Sequence, residues 1–258
     1  MNTRLTKVKS VQYILEHFKG QLFDPVVNRI DEPWFYFLHI PKTAGTSFRH
    51  VLYETFAQGT IYPNFYELNV KQKARYLSWG EFAKNEPQLF TDKKRILIGH
   101  FGWAPMNYYK LHPPKLLAFF RDPLERVKSS IVYHQRRGRI YSGLKIDDIL
   151  DKYMVREGAL QARNLGFNKK TDNLNQVLER IDQIDFIGIS EEYDHSVALC
   201  NKVFKWQLKS GPRFNVGVKA RNYFTSYQKE RILEGCKIDS IIYDYARKKF
   251  RKKCEDYL

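Results

Sequence analysis

The sequence has few cysteines, and none stands in a pattern typical of metal or disulfide chemistry. Cys200, Cys236 and Cys254 are widely spaced, and the chain has neither a CxxC pair nor an HExxH motif. An odd, scattered set of cysteines argues against a disulfide framework, and the missing ligand motifs argue against a zinc site. We therefore predict no metal, and a reducing cytoplasm as the compartment.

Long apolar runs are also missing from the chain. The longest uninterrupted stretches, 34–38 and 116–120, are far shorter than the roughly 20 residues that a membrane-spanning helix needs. Residues 1–20 have no continuous apolar core of the kind found in signal peptides. The sequence therefore predicts no transmembrane segment.

Acidic residues are scarce relative to basic ones. The chain of 258 residues has 44 Lys and Arg against 28 Asp and Glu, a formal net charge of +16, which favours anionic partners. Charge alone does not distinguish nucleic acid, acidic polysaccharide, an anionic membrane and a nucleotide. No helix-turn-helix, zinc-finger or RNP-like signature is present, so we expect no nucleic acid. The basic stretch 247–253 leaves peripheral contact with a membrane or a polyanion open.

Apolar segments alternate with amphipathic ones along most of the chain, which is typical of an α/β fold. The predicted strands cover 34–40, 96–100, 115–120 and 184–189. The predicted helices begin at 46 and 123, and two more cover 191–204 and 226–253. We predict a single P-loop-like domain over 31–258, with a mainly parallel sheet flanked by helices, and a helical extension over 1–30.

The first predicted strand runs into a turn of small and hydroxyl residues that contains Lys42. A helix N-terminus, its backbone N–H groups and an ammonium group around one point favour a bound phosphate or sulfate. The turn is not a Walker A motif, because Lys42 precedes the only glycine, Gly45; this disfavours a kinase that uses ATP and magnesium. The alternative is a purely structural junction in which Thr43 or Thr46 caps the helix.

A second anion-binding element begins at Arg121, after the apolar segment 115–120. Asp122 is the predicted N-cap of the next helix, with Pro123 in its first position and Glu125 closing a capping box. Ser129 follows two turns into that helix. An arginine fork and a hydroxyl can hold a terminal phosphate together. The alternative pairs Arg121 with a carboxylate and leaves Ser129 solvated.

Together, HIPKTAGTS and FFRDPLERVKSS resemble the sulfotransferases that use 3′-phosphoadenosine 5′-phosphosulfate (PAPS), in particular the branch of heparan sulfate 2-O- and 6-O-sulfotransferases and their bacterial relatives. The resemblance implies that the first block binds the 5′-phosphosulfate and the second the 3′-phosphate. More weakly, 184–192 and 214–219 resemble that branch's later strand and cofactor-covering loop. The implied cofactor-binding residues are Lys42, Thr43, Ala44, Gly45, Thr46, Ser47, Arg121, Ser129 and Lys219.

Two residues are predicted to carry the chemistry of sulfuryl transfer from PAPS to an acceptor hydroxyl, without a metal. Lys42 suits stabilisation of the leaving phosphate because its mobile point charge can follow the moving oxygen. His100, at the end of a short apolar segment, suits the role of general base. The resemblance implies the same two roles. His39 is the rival base, although its position at the end of a buried strand favours local packing.

The acceptor is expected to be a glycan or another hydroxyl-bearing molecule, and an anionic one given the net charge. Aromatic residues in 62–79 and 101–103 offer faces for sugar rings, and Arg136, Arg137 and Arg139 offer charge; the alternative is that the aromatics are core and the arginines solvated surface. A rival function is a non-catalytic protein that binds polyanions. Because the chain starts with Met, we expect a bacterial cytosolic enzyme rather than a trimmed domain of a Golgi enzyme.

Overall fold

The computed structural model describes residues 34–57, 60–62, 95–109, 113–170, 173–209 and 223–258. The predicted extension 1–30, most of 62–79 and Lys219 lie outside these residues. The described strands are β1 (Phe35–Leu38), β2 (Ile61–Tyr62), β3 (Ile96–Gly99), β4 (Lys115–Phe120) and β5 (Phe186–Ile189).

Helices connect and cover these strands. In chain order they are α1 (Gly45–Thr55), α2 (Ala104–Tyr108), α3 (Pro123–Arg136), α4 (Ile146–Glu157), α5 (Leu160–Asn164), α6 (Leu174–Asp182), α7 (Tyr193–Phe204), α8 (Ser226–Gly235) and α9 (Lys237–Tyr257), with a 3-10 turn at Ser190–Glu192 before α7. Among the helices of the described ranges, none is both long enough and apolar enough to cross a bilayer.

The five strands form one parallel sheet in the order β2-β3-β1-β4-β5. All residues of β1 and β3 are buried, as are all but the first of β4, as expected where helices cover both faces of a parallel sheet. The predicted α/β fold with a parallel sheet flanked by helices is confirmed. The strand 115–120 has the predicted bounds, whereas β1, β3 and β5 are one to three residues shorter than predicted.

Aromatic rings fill the core between α1 and the central strands. The ring of Phe48 on α1 lies 5.0 Å from that of Phe37 on β1 and 4.8 Å from that of Phe119 on β4, measured between centroids. Val51 and Leu52 bury the same face of α1, as its apolar stripe predicts. This packing fixes the N-terminus of α1 against the carboxyl end of β1.

The single long helix predicted over 226–253 is wrong, because the chain forms two helices that meet at Cys236. The backbone of Cys236 has φ −104° and ψ 16°, and its N–H group donates to the carbonyl of Leu233. The helices serve different partners: α8 packs on α4 and α3, whereas α9 packs on α7, α5 and β5. The change of partner explains the break.

The topology marks one end of the sheet as the place for a ligand. From β1 the chain passes to one side of the sheet to form β2 and β3, then to the other side to form β4 and β5. The carboxyl end of β1 therefore lies at a topological switch point, where open α/β sheets bind ligands.

Candidate functional site

The turn between β1 and α1 has a strained backbone. Lys42 and Ala44 adopt left-handed conformations, with φ of 71° and 65°, which cost a non-glycine residue about 1–2 kcal/mol each. Between them, the buried Thr43 donates its hydroxyl to the carbonyl of Ile40 at 2.9 Å, which closes the turn. Strain of this kind is concentrated at ligand sites. The Thr43 hydroxyl already has a partner within the turn.

The N-terminus of α1 has no side-chain cap. The helix begins at Gly45 with Ala44 as N-cap, and its first turn contains no acidic residue. The alternative in which Thr43 or Thr46 caps the helix is wrong, because Thr43 bonds back to Ile40 and Thr46 lies inside the first turn. First-turn N–H groups need a partner, which a side chain, water or an anion can supply. This helix end therefore suits an anion.

Gly45 allows the first turn of α1 to approach His39. A Cβ atom at Gly45 would lie 1.9 Å from Cδ2 and 2.1 Å from Nε2 of that imidazole. The His39 ring is buried and stacks on Phe37, with centroids 5.6 Å apart. Burial, and then the nearby His100, lower the pKa of His39 well below its ordinary value. His39 is thus a neutral packing residue behind the turn, as its position predicts.

Lys42 extends from the turn towards α3. Its Nζ atom lies 4.0 Å from the centroid of the Tyr133 ring, within range of a cation–π interaction. Burial, followed by the charges of Arg121 and Arg137, lowers the pKa of Lys42 to about 8. An anion beside this lysine would favour its charged form. The sequence around Lys42 gave no indication that Tyr133 would be its partner.

His100 follows β3 and is connected by a hydrogen bond to His39, the residue directly after β1. Its Nδ1 atom lies 2.5 Å from the carbonyl oxygen of His39. Because a carbonyl only accepts, Nδ1 carries the proton and Nε2 keeps its lone pair. Burial lowers the pKa of His100, against the opposing effect of the bond to His39. The imidazole is therefore neutral at pH 7, with the tautomer that a general base requires.

Arg121 follows β4 and bonds to the turn that carries Lys42. Its Nη1 atom donates to the carbonyl of Lys42 at 3.1 Å, and its Nε atom lies 3.7 Å from a carboxylate oxygen of Glu191. The carboxylate partner foreseen as an alternative is therefore present, at a distance typical of a weak pair. A guanidinium has five N–H donors, so these contacts leave it capacity for an anion. Ser129 lies two turns into α3 and is partly buried.

The start of α3 confirms part of the predicted capping. The Asp122 carboxylate accepts the Glu125 N–H group at 2.9 Å, and Pro123 occupies the first helical position. The reciprocal half of the predicted capping box is wrong. The Glu125 carboxylate instead accepts from Nζ of Lys128 at 2.6 Å, because a basic residue one turn later offers it a charged donor.

A buried side chain that sequence reasoning missed fixes the backbone of Arg121. The Gln161 amide accepts the Arg121 N–H group at 3.0 Å and donates to the Arg121 carbonyl at 2.9 Å. The Asp239 carboxylate on α9 in turn accepts the N–H groups of Gln161 and Ala162, both at 3.0 Å. Gln161 and Asp239 are fully buried. No local pattern could reveal a contact between residues so distant in sequence.

A buried ion pair lies next to this network. Arg126 on α3 is fully buried and donates to the Glu157 carboxylate at 3.0 Å. The same carboxylate accepts from the hydroxyls of Tyr141 at 2.6 Å and Ser130 at 3.3 Å. Nε of Arg126 also lies 4.0 Å from Asp239. Arg126 therefore belongs to the interior that supports the site.

The aromatic residues that offered faces for sugar rings in the sequence are core residues where the structure describes them. Tyr62, Phe101 and Trp103 are all buried. Phe101 packs over the backbone of Gly99, where a Cβ atom would lie 2.3 Å from its ring. The alternative that the aromatics are core is therefore confirmed for these three, and the remainder of 62–79 lies outside the described residues.

The structure brings the principal predicted residues to one edge of the sheet. His100, Lys42 and Arg121 follow β3, β1 and β4, which are neighbours, and the hydrogen bonds described above connect their loops. In the described parts of the chain, no group of three or more His, Cys, Asp or Glu residues is arranged to hold a metal ion. The arrangement supplies backbone donors, two cations and a neutral imidazole.

One comparison with known proteins bears on this arrangement. The chain is similar to galactose-3-O-sulfotransferase 2 of Mus musculus, at 20% identity over 240 residues, which covers 83% of this chain and 61% of that protein. The chain thus spans less than two thirds of that relative's length. No family model matches the sequence. The similarity supports a sulfotransferase relationship, and the parallel α/β sheet is consistent with it.

Proposed function

We propose that this protein transfers a sulfuryl group from PAPS to a hydroxyl of a glycan. The observation that carries the proposal is the strained, uncapped turn at the switch point, in which Lys42 is joined to Arg121 by a hydrogen bond. The turn and the arginine offer neighbouring places for two anionic groups. The similarity to a glycan sulfotransferase supports the type of reaction and the type of acceptor.

The site would bind both anionic groups of the donor, the 5′-phosphosulfate and the 3′-phosphate. The N–H groups of the first turn of α1, over 44–47, and the Lys42 ammonium would hold the 5′-phosphosulfate. Arg121 and the Ser129 hydroxyl would hold the 3′-phosphate. Thr43 would contribute through its backbone, because its hydroxyl already bonds to Ile40. Lys219 belongs to this proposal on the sequence alone.

His100 and Lys42 would carry out the proton and charge transfers. As the acceptor oxygen attacks sulfur and the bond between sulfur and the bridging phosphate oxygen breaks, Nε2 of His100 takes the hydroxyl proton. The Lys42 ammonium stabilises the negative charge that develops on the leaving phosphate. The neutral tautomer of His100, set by its bond to His39, supports the first role. The protein's share is positioning and electrostatics, by analogy with phosphoryl transfer.

The net charge of +16 favours one alternative, a non-catalytic protein that binds sulfated glycans or other polyanions. That alternative predicts binding that weakens steeply with salt, with no turnover of PAPS. Transfer of label from PAPS separates the two functions directly.

The test is transfer of 35S from labelled PAPS to a panel of glycans. We expect Lys42→Ala and His100→Ala each to lower the rate by about 10²–10⁴-fold, the usual contribution of such groups. His195→Ala, which removes an exposed imidazole on α7, is the matched control and should retain the wild-type rate. Wild-type rates in both site variants would refute the assigned roles. Salt-sensitive glycan binding without any transfer by the wild type would favour the alternative.

A further inference from the structure

Two arginines share the Tyr133 ring with Lys42. The Cζ atoms of Arg137 and Arg139 lie 5.4 Å and 5.6 Å from the ring centroid, and Nζ of Lys42 lies 4.0 Å from it. All three cations are within the range of a cation–π interaction. The described part of the chain thus gathers three positive charges around one ring beside the candidate site.

The end of α3 holds the two arginines in this arrangement. After Arg136 the chain turns back through Gly138, which has a left-handed φ of 59°. The N–H groups of Arg137 and Arg139 donate to the carbonyls of Tyr133 and His134, at 3.1 Å and 3.0 Å. The turn therefore keeps both arginines next to the last turn of α3, where Tyr133 lies.

Interaction with the helix dipole explains only part of this arrangement. Basic residues at a helix C-terminus are favourable, which accounts for arginines in the turn. It does not account for their convergence with Lys42, which comes from a different loop. The three cations repel one another, and the charge of Arg137 contributes to the lowered pKa of Lys42. Both arginines are exposed, so an anion from solution can reach them and relieve this repulsion.

We propose that Arg137 and Arg139 form an oxyanion-binding subsite beside Lys42 that holds a carboxylate or sulfate group of the acceptor glycan. The inference rests on the proposed function and narrows its acceptor to acidic glycans. Arg137 lies eight residues beyond Ser129, about 12 Å further along the helix axis, which separates the subsite from the proposed 3′-phosphate site. The acceptor is favoured over the 5′-phosphosulfate because that group already has Lys42 and the first-turn N–H groups of α1 as its proposed partners. The donor's 3′-phosphate already has Arg121 and Ser129 as its proposed partners.

The test measures calorimetrically how a heparin hexasaccharide binds to the protein saturated with 3′-phosphoadenosine 5′-phosphate (PAP). The test variant is Arg137→Ala/Arg139→Ala. The matched control is Lys152→Ala/Lys202→Ala, which removes two exposed cations of α4 and α7 and lowers the net charge equally. Hexa-N-acetylchitohexaose, which carries no charge, serves as the uncharged probe, and circular dichroism checks that each variant is folded.

We expect the test variant to bind the heparin hexasaccharide at least about tenfold more weakly than the wild type, because it loses two charge-assisted contacts. The control should change the affinity by less than about threefold, and neither variant should weaken the binding of PAP or of the uncharged hexasaccharide. Any one of three results would overturn the subsite: equal losses of affinity for the heparin hexasaccharide in the two variants, no loss in the test variant, or no binding by the wild type. A loss of PAP affinity in the test variant would assign the arginines to the donor and overturn it as well.

Failure of the subsite is distinguishable from failure of the proposed function. PAP binding and 35S transfer are measured on the same wild-type preparation. If these are intact while the test variant keeps its affinity for the heparin hexasaccharide, only the subsite is refuted. If the wild type neither binds PAP nor transfers sulfate, the proposed function itself is refuted.

Discussion

Gly45 is the position at which a single added methyl group should most directly disturb the anion-binding turn. A Cβ atom there would lie 1.9 Å from Cδ2 of His39, whereas ordinary contacts begin at 3.4 Å. The ring or the helix must therefore move by roughly 1.5 Å, the difference between these distances. The His39 ring has little room, because it is buried between Phe37 and His100, with centroids 5.6 Å and 4.3 Å away.

The expected cost follows from two opposing effects. Overpacking a buried site costs about 1–3 kcal/mol, and alanine recovers about 0.5–1 kcal/mol relative to glycine in a helix. We therefore expect Gly45→Ala to lower the free energy of unfolding by about 1–2 kcal/mol. It should also weaken PAP binding, because the displaced first turn of α1 carries the proposed donors.

The assay is a double-mutant cycle by urea denaturation with Gly45→Ala, His39→Ala and the double variant. Removing the His39 side chain removes the clash and retains the backbone carbonyl that binds His100. We expect a coupling energy of about 1–2 kcal/mol and partial recovery of PAP affinity in the double variant. Additive free energies of unfolding would refute the argument, because they would mean that the Gly45 methyl group does not meet His39.

Three further predictions concern charge and buried hydrogen bonds. Since the pKa of Lys42 is lowered to about 8, calorimetry should show PAP affinity falling as pH rises through 8, and Lys42→Arg should flatten this profile. Gln161→Leu leaves the N–H and carbonyl groups of Arg121 without their partner, so urea denaturation should show a loss of about 2–4 kcal/mol. Arg126→Met leaves the Glu157 carboxylate buried without its countercharge, and should cost about 3–5 kcal/mol in the same assay.

Each of these predictions has a result that would contradict it. A PAP affinity that stays constant from pH 7 to 9 in the wild type would show that Lys42 does not lose its charge in that range. A Gln161→Leu variant as stable as the wild type would mean that Arg121 finds other partners. For the ion pair, Arg126→Met/Glu157→Gln should be more stable than the sum of the single losses predicts, and strict additivity would contradict the pairing.

Strands and helix starts that depend on neighbouring residues in the sequence were predicted correctly. The strand at 115–120 was predicted with its observed bounds, because prolines precede it and Asp122-Pro123 follows it. The same dipeptide marked the start of α3. The anion site at the turn after β1 stays a prediction, whereas the alternative of a capped junction there is wrong, since the hydroxyl of Thr43 closes the turn instead of capping α1. The same sequence is compatible with a threonine hydroxyl that closes the turn and with one that caps the following helix.

Tertiary contacts determine what the sequence could not reveal. The break at Cys236 reflects the different partners of α8 and α9, and the helical pattern continues through it. Gln161 and Asp239 are polar residues without a motif, and only the fold brings them to Arg121. The sequence around Phe101 does not distinguish a ring that stacks on a sugar from one that packs over Gly99. The structure shows that Phe101 is buried, which assigns it to the core.

The central claim is a donor site that recognises both ends of PAPS. Calorimetric titration of wild type and Arg121→Ala with PAP, adenosine 5′-phosphate and ATP with magnesium tests it most directly. We expect micromolar binding of PAP, weaker binding of the other two nucleotides, and a loss of the preference for the 3′-phosphate in Arg121→Ala. Absence of PAP binding, or a preference for ATP with magnesium, would contradict it.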